Sequence, residues 1–173
     1  MIALLLVGLA SCQPSPTAEG SQILQLGSSK ENGVEVTIRL TRAENQQISL
    51  LATFIPLEPD LHLYSKDIPK NGVEGLGRPT LFELGENSQL TALGELTESV
   101  PPEISDFEPR NLLVYPPGEV TLRLPIALPS GACWLDESVL VTYMACSETG
   151  CKAPVIGKTI EVRVPCADTA VNP

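Results

Sequence analysis

The chain has 173 residues, 11 lysines and arginines against 21 aspartates and glutamates, and a formal net charge of -10. This length suffices for one domain with a sizeable core, and the acidic balance argues against nucleic acid or an anionic membrane surface as a binding partner. The 16 prolines and 13 glycines, together with few aromatic side chains, favour short strands joined by frequent turns over long helices.

The chain begins with a short apolar run, residues 1–12, that ends in small residues and a cysteine. This run is shorter than the roughly 20 apolar residues that a membrane-spanning helix needs, and it is typical of a secretory signal. Leu9-Ala10-Ser11-Cys12 resembles the signal of bacterial lipoproteins, which implies that Cys12 is lipidated and becomes the mature N-terminus. The alternative is an ordinary signal peptide in which the cysteine is incidental. The sequence departs from the usual pattern of secretory signals because no Lys or Arg precedes the apolar run. We therefore expect an exported, membrane-anchored lipoprotein that faces the periplasm or the cell exterior.

A change of pattern near residue 22 separates a tether from a folded domain. Residues 13–22 are rich in Pro, Ser, Thr and Gly and predict a flexible tether that reaches roughly 20–30 Å. From residue 23 the pattern is that of β-structure, and it predicts an all-β antiparallel β-sandwich of roughly eight strands over residues 23–166. No amphipathic helix and no second domain is predicted, and residues 167–173 are expected to form a C-terminal tail. The predicted strands before the C-terminal hairpin are residues 34–40, 48–55, 61–64, 80–84, 89–93 and 119–124.

Two details of this pattern bear on the core and on a site. Val34, Val36, Ile38 and Leu40 alternate with polar residues and should face the core. Residues 100–118 carry five prolines, several acidic residues and two aromatic side chains. A proline-stiffened loop with isolated aromatics can cover a site, and a plain surface connection is the alternative.

Four cysteines remain once Cys12 is assigned to lipidation, and export implies an oxidising compartment in which they can pair. Four cysteines allow three connectivities. In a regular antiparallel hairpin, opposed residues share a constant sum of residue numbers, which is 297 for Cys146 with Cys151 and 299 for Cys133 with Cys166. The two sums differ by only two, so both pairs agree with one hairpin register to within one diagonal step. This favours a tip disulfide, Cys146–Cys151, and a base disulfide, Cys133–Cys166, over the two crossed pairings, although Cys133 lies in a stretch with loop character.

The two disulfides are expected to differ in role. The base disulfide closes a loop of about 30 residues, which is worth about 3–4 kcal/mol in the chain-entropy model, and we predict that it is structural. Trp134 beside it is predicted to pack in the core or against this disulfide. The tip disulfide closes a very short loop and restricts the unfolded chain little, so its position at an exposed turn favours exchange chemistry through a mixed disulfide.

The charges beside the tip disulfide suggest which of its cysteines meets a partner. Lys152 adjoins Cys151 and should favour its thiolate, whereas Glu148 lies nearer Cys146 and should disfavour that thiolate. We therefore predict that Cys151 is the exchanging cysteine and that Cys146 is its resolving partner.

Residues 141–146 and 151–154 resemble the active-site hairpin of a known family, the N-terminal periplasmic domain of the thiol:disulfide interchange protein DsbD and its stand-alone relatives. Residues 62–65, 77–80 and 122–126 are similar to further segments of that family, in the same order. The resemblance spans roughly residues 23–164 and implies an immunoglobulin-like sandwich with Cys146 and Cys151 as its redox pair.

The activity implied by the resemblance is a relay of reducing equivalents, with a link to cytochrome c biogenesis. The electron donor would be a membrane-linked thioredoxin-like or transmembrane protein, and the clients would be oxidised extracytoplasmic proteins. The resemblance also implies a cap loop whose aromatic side chain shields the cysteines. Phe107, with Asp106, occupies the corresponding interval, and Tyr64 and Tyr143 are its expected neighbours.

Two departures from the family pattern qualify this expectation. The full-length family protein continues into a transmembrane electron carrier and a thioredoxin-like domain, which this sequence lacks, so we expect the electron source to be a separate protein. The base disulfide is not part of the family motif.

The main alternative function is a non-catalytic binding lipoprotein whose tip disulfide is an inert staple. The reduction potential of the tip disulfide distinguishes the two functions, because a structural disulfide is expected below about -300 mV and an exchanging one above that value.

A metal site is the third hypothesis, since two cysteines with His62 or Met144 could hold a soft ion such as Cu(I). The chain has only one histidine and therefore few candidate metal ligands, so we expect neither a metal nor a cofactor. His62 is interpreted as a packed or surface residue. Hydrolase, P-loop and dinucleotide-binding motifs are lacking.

Overall fold

The structure of this chain is a computed structural model that describes residues 22–43, 45–107, 109–131 and 133–171. The predicted signal segment with Cys12, and residues 13–21 of the predicted tether, lie outside the described residues. The elements, in chain order, are β1 (Gln22–Glu31), β2 (Val34–Arg42), β3 (Ile48–Pro56), β4 (His62–Leu63), β5 (Leu81–Leu84), β6 (Thr91–Ala92), β7 (Thr97–Glu98), β8 (Glu103–Ile104), β9 (Leu113–Val114), β10 (Val120–Ala127), β11 (Trp134–Tyr143), β12 (Ala145–Ser147), β13 (Gly150–Cys151), β14 (Val155–Pro165) and α1 (Ala167–Val171).

The larger sheet has the strand order β1-β2-β3-β10, with β6 and β7 both paired to the free edge of β10. Strands β1 and β2 are joined by Asn32 and Gly33, both with positive φ, and an Asn-Gly pair is the preferred two-residue loop of a β-hairpin. Along β2 the predicted alternation is confirmed: Val34, Val36 and Ile38 are fully buried. The period-2 pattern therefore sets the face that β2 turns to the core.

The smaller sheet has the order β14-β11-β5, again with antiparallel pairing throughout. Its central strand β11 buries every second residue, in the pattern expected when one face of a strand meets a core. The long β11–β14 pair forms the C-terminal hairpin, and the chain continues past β11 into the hairpin tip.

The two sheets share one hydrophobic core. Its buried side chains come from β2, β3 and β10 on one side and from β5, β11 and β14 on the other. Phe54 of β3 meets Tyr143 of β11 edge-on, with ring centroids 5.8 Å apart. At the sheet edge β1 approaches β14 so closely that a Cβ on Gly27 would lie 3.2 Å from the Glu161 carbonyl oxygen. The all-β, immunoglobulin-like antiparallel sandwich predicted from the sequence is thus confirmed.

Several local predictions need correction. In place of a strand over residues 89–93 the structure has only β6, and the predicted loop 100–118 contains the short β8–β9 hairpin. Residues 167–171 form the single-turn helix α1 where a tail was predicted. Trp134 was predicted to pack in the core or against the base disulfide, and the first of these alternatives is wrong. It occupies an outward position of β11 and is 47% exposed, with the Arg163 guanidinium 5.7 Å from the centre of its ring.

In the part of the chain that the structure describes, no helix is long and apolar enough to cross a bilayer.

Candidate functional site

The site lies at the far end of the C-terminal hairpin, where β12 and β13 pair in a tight turn. Cys146 and Cys151 are directly opposed in this pair and form the tip disulfide, with Cα atoms 4.0 Å apart. The turn between them is closed locally, since the Ser147 hydroxyl accepts a hydrogen bond from the Thr149 N–H at 3.3 Å. Beyond the turn, the Lys152 N–H donates to the Ala145 carbonyl at 2.9 Å, which continues the pairing.

The register of the hairpin explains both disulfides. From its base to the pair Val141–Lys158 the opposed residues keep one constant register, which then slips by a residue at Tyr143. The base disulfide Cys133–Cys166 lies at the open end of that register, where the Cys166 N–H also donates to the Cys133 carbonyl at 2.8 Å. The structure therefore contains the two pairings that the register arithmetic favoured.

The tip disulfide borders a cavity of 790 Å³ that is open to solvent. Cys146 is only 2% exposed, whereas Cys151 is exposed. The base disulfide also has one exposed cysteine, Cys133, but neither of its residues lines this cavity. Besides both tip cysteines, the lining combines three acidic residues and three rings, namely Asp60, Asp106, Glu148, His62, Tyr64 and Phe107.

Strand β4 brings a histidine beside the tip disulfide. In the β12–β4 pair His62 is directly opposite Cys146, on the side away from Cys151. Directly opposed residues of antiparallel strands project to the same face, so His62, Cys146 and Cys151 form one row across a three-stranded sheet. Burial lowers the pKa of His62 below its ordinary value of 6.5. Its Nε2 atom is buried and has no hydrogen-bond partner in the described part of the chain.

Phe107 reaches the cavity because its loop is fastened to β4. The Tyr115 N–H donates to the Leu63 carbonyl at 2.8 Å, and the Ser65 N–H donates to the Leu113 carbonyl at 3.0 Å. These bonds anchor the β8–β9 hairpin, from which Phe107 extends until its ring centroid lies 5.6 Å from that of His62. The Phe107 side chain is 38% exposed.

Tyr64 forms the floor of the cavity on the other side of His62. Its ring is buried and meets the His62 ring edge-on at 5.4 Å, and burial raises the pKa of its hydroxyl to about 12. The Thr80 hydroxyl donates to the Tyr64 carbonyl at 2.7 Å. Gly77 has a positive φ, and a Cβ there would lie 3.1 Å from the Tyr64 ring. The fold thus brings the segments 62–65 and 77–80 together, although they are separate in sequence.

Two of the predicted site neighbours lie elsewhere. Tyr143 packs in the sandwich core, where its hydroxyl donates to the Glu31 carbonyl at 3.1 Å, and it does not line the cavity. Burial, and then the Glu31 carboxylate, raise the pKa of Tyr143 to about 12. The Lys152 ammonium pairs with the Glu58 carboxylate at 2.7 Å. That pairing offsets the positive charge that was expected to act on Cys151.

The sequence reasoning missed several lining residues. Asp60 and Leu76 belong to loops with no local motif, and His62 was interpreted as a packed or surface residue. Only the pairing of β4 with β12 places His62 beside the cysteines, and a two-residue strand has no readable periodicity. Among the described residues, no group of three or more His, Cys, Asp or Glu side chains could hold a metal ion.

Fold and site together describe an all-β sandwich whose last hairpin carries a disulfide in an open cavity, beneath a loop with an aromatic side chain. No protein-family model matches the chain, and no curated protein matches it. Among solved structures, the chain is similar to the N-terminal domain of DsbD from Neisseria meningitidis in the reduced form. The sequence identity is 15% and the TM-score 0.44, and the match covers 82% of this chain and 84% of that chain.

Proposed function

We propose that this chain is an extracytoplasmic thiol–disulfide interchange module that relays reducing equivalents through Cys146 and Cys151. One observation carries the proposal: the tip disulfide lines an open cavity, with Cys151 exposed and Cys146 buried behind it. An incoming thiolate can therefore reach one sulfur of the disulfide, while the other is held inside for the return step. A disulfide that served only to staple the hairpin would need no such cavity.

The exchange consists of two balanced thiol–disulfide reactions. In the first, a thiolate of the donor attacks the Cys151 sulfur, the bond to Cys146 breaks, and Cys146 leaves as a thiolate. A second donor thiolate then attacks the donor sulfur of this mixed disulfide, which frees Cys151 as a thiolate and leaves the donor oxidised. Two electrons have passed from the donor to the pair.

In the second reaction the reduced pair acts on a client disulfide. The Cys151 thiolate attacks one client sulfur, and the other client sulfur leaves as a thiolate. Cys146 then attacks the Cys151 sulfur, re-forms the tip disulfide and releases the client as a dithiol. The exposure of Cys151 is the main support for this order of events, because Lys152 is paired with Glu58 and adds little to the thiolate character of Cys151.

We further propose that Phe107, with Asp106 beside it, caps the redox pair between encounters. Both residues line the cavity, and the Phe107 ring packs on His62. The cap would limit access by small oxidants and thiols, and a protein partner would displace it on docking. Tyr64 supports the cap from below through its edge contact with His62.

The proposed partners are a membrane-linked thioredoxin-like or transmembrane electron donor and oxidised extracytoplasmic proteins. The proposed location is the outer face of a membrane, with Cys12 lipidated and residues 13–21 as the tether, because β1 begins at Gln22. Conversion of Cys12 to alanine should then release the protein from the membrane fraction and abolish its labelling by radioactive palmitate. Membrane association that survives this substitution would contradict lipid anchoring at Cys12.

The decisive experiment is a redox titration of the purified full-length chain in thiol buffers, with free thiols trapped by alkylation and located by peptide mass. We expect the Cys146–Cys151 pair to titrate near the thioredoxin value of about -270 mV while Cys133–Cys166 stays oxidised. A Cys133→Ala/Cys166→Ala variant is the matched control and should leave the tip potential unchanged. If both disulfides resist reduction together until the fold is lost, the chain is instead a disulfide-stapled binding protein.

A further inference from the structure

The His62 imidazole has a polar atom that the structure leaves without a partner. The Nε2 atom is buried and makes no hydrogen bond within the described residues. Buried side-chain nitrogens are nearly always paired, and an exception calls for a physical reason such as a redox or catalytic role. The structure contains the oxidised pair, so a partner that exists only in the reduced form would supply that reason.

The sheet register identifies such a partner. His62 is directly opposite Cys146 in the β4–β12 pair, and both residues line the cavity. Opposed side chains project to the same face with Cβ atoms about 4.5–5.5 Å apart. As a disulfide, the Cys146 sulfur carries no proton. Reduction creates an S–H group on the side chain nearest in register to the unpaired imidazole nitrogen.

The surroundings of His62 keep the ring fixed and uncharged near neutral pH. The Tyr64 and His62 rings meet edge to face with centroids 5.4 Å apart, and the centroid of the Phe107 ring lies 5.6 Å from that of His62. The charged groups that face the same cavity are the carboxylates of Asp60, Asp106 and Glu148. Burial nevertheless lowers the pKa of His62, so near neutral pH the imidazole is in the form that can accept a proton.

We propose that His62 is the proton acceptor for Cys146 when the reduced pair resolves a mixed disulfide, an inference that rests on the proposed exchange function. The Nε2 atom takes the proton of the Cys146 thiol, and the resulting thiolate attacks the Cys151 sulfur. The bond between Cys151 and the partner sulfur breaks, and its electron pair leaves with the partner sulfur as a thiolate, which the imidazolium or water then protonates. In the opposite direction the imidazole takes the proton of the incoming partner thiol, and the imidazolium formed in this way gives that proton to Cys146 as it leaves.

Nuclear magnetic resonance of the imidazole gives a test that requires no change at His62. The chain has a single histidine, so an untagged sample reports on His62 alone. We expect the pH titration of the imidazole nitrogens to differ between the oxidised and reduced proteins, because the Cys146 thiol becomes the partner of Nε2. In reduced Cys146→Ala protein the titration should return to that of the oxidised form. Identical titrations in the oxidised and reduced wild type would overturn the proposal.

Kinetics give the second test. The reduced full-length chain is mixed with excess oxidised glutathione, quenched with acid, and the glutathione adduct on Cys151 is followed by mass. In the wild type we expect its resolution rate to be level around neutral pH and to fall as acid protonates His62. In His62→Gln the rate should be lower by on the order of 100-fold at about pH 7. It should then rise with pH towards the ordinary thiol pKa of about 8.5.

A merely structural role for His62 would lower the rate by the same factor at every pH, and this result would overturn the proposal. His62→Ala serves as a second variant, whose resolution rate should recover when free imidazole is added. Failure of the exchange function itself looks different, since the wild-type tip disulfide would then not be reduced at all without unfolding. If the His62 variants do not fold, the titration of the His62 imidazole in the oxidised and reduced wild type still tests the proposal.

Discussion

Cys146 and Cys151 face each other across the β12–β13 pair with Cα atoms 4.0 Å apart, and they differ sharply in their access to solvent. Cys151 is exposed at the rim of the cavity, whereas only 2% of Cys146 is accessible. Cys146 is covered because it lies in a second small core that includes Tyr64, Ile68 and Leu112. The disulfide therefore joins an outer sulfur to an inner one, and the two cysteines are predicted to behave differently when separated.

Single-cysteine variants test this difference. In Cys146→Ser the exposed Cys151 thiol has no resolving partner, so it should accumulate stable mixed disulfides with protein partners and with glutathione. In Cys151→Ser the remaining thiol is buried, and we expect its reaction with a small disulfide reagent to be at least about tenfold slower. Stopped-flow measurement of the reaction of each folded variant with the disulfide reagent shows which of the two remaining thiols reacts faster. Equal rates, or a faster Cys151→Ser variant, would contradict the assignment of Cys151 as the exchanging cysteine.

The two disulfides should also contribute differently to stability. In the chain-entropy model, closing the loop from Cys133 to Cys166 is worth about 3.8 kcal/mol, and closing the loop from Cys146 to Cys151 about 2.2 kcal/mol. We therefore expect the free energy of unfolding to fall by about 1.5 kcal/mol more when the base pair is replaced by alanine than when the tip pair is replaced. Urea unfolding of the two double variants measures this difference. The prediction is contradicted if replacing the tip pair lowers the free energy of unfolding more than replacing the base pair does.

The features that could be predicted from the sequence are those determined locally. The alternation of Val34, Val36 and Ile38 specifies the inward face of β2 without reference to any other strand. The pairing of Cys146 with Cys151 follows from the register of a single hairpin, because opposed residues of one β-pair are related by a fixed count along the chain. Such relations need only residues that are close in sequence.

Long-range placement could not be predicted in the same way. His62 precedes Cys146 by many residues and belongs to a strand of two residues, so no periodicity signals the pairing of β4 with β12. The exposure of Trp134 was also missed, because its size suggests burial while its outward position on β11 depends on where that strand begins. Phe107 was placed near the cysteines by resemblance alone, and the packing of its ring on His62 emerges only from the folded chain.

The proposed cap predicts faster reduction when its aromatic ring is removed. Aromatic ring contacts are worth about 0.5–1.5 kcal/mol, and about 1.4 kcal/mol corresponds to a factor of ten. Phe107→Ala should therefore be reduced by dithiothreitol about twofold to tenfold faster than the wild type. The matched control is Ile104→Ala, which removes another exposed apolar side chain from the same hairpin but does not line the cysteine cavity. An unchanged rate in Phe107→Ala would show that the ring does not shield the pair.

The tyrosines predict how stability depends on pH in alkali. The chain has three, Tyr64, Tyr115 and Tyr143, and all are buried. Burial raises the pKa of Tyr64 and Tyr143 to about 12, and burial together with a hydrogen bond to Glu98 raises the pKa of Tyr115 further. Each pKa is higher in the folded state than the ordinary value of 10.0, so the unfolded chain loses these protons first. Their stabilising contribution is therefore complete below about pH 10 and declines as the pH rises towards 12. Phenolate absorbance should increase together with the loss of circular dichroism, whereas a gradual titration near pH 10 in folded protein would contradict the burial of these hydroxyls.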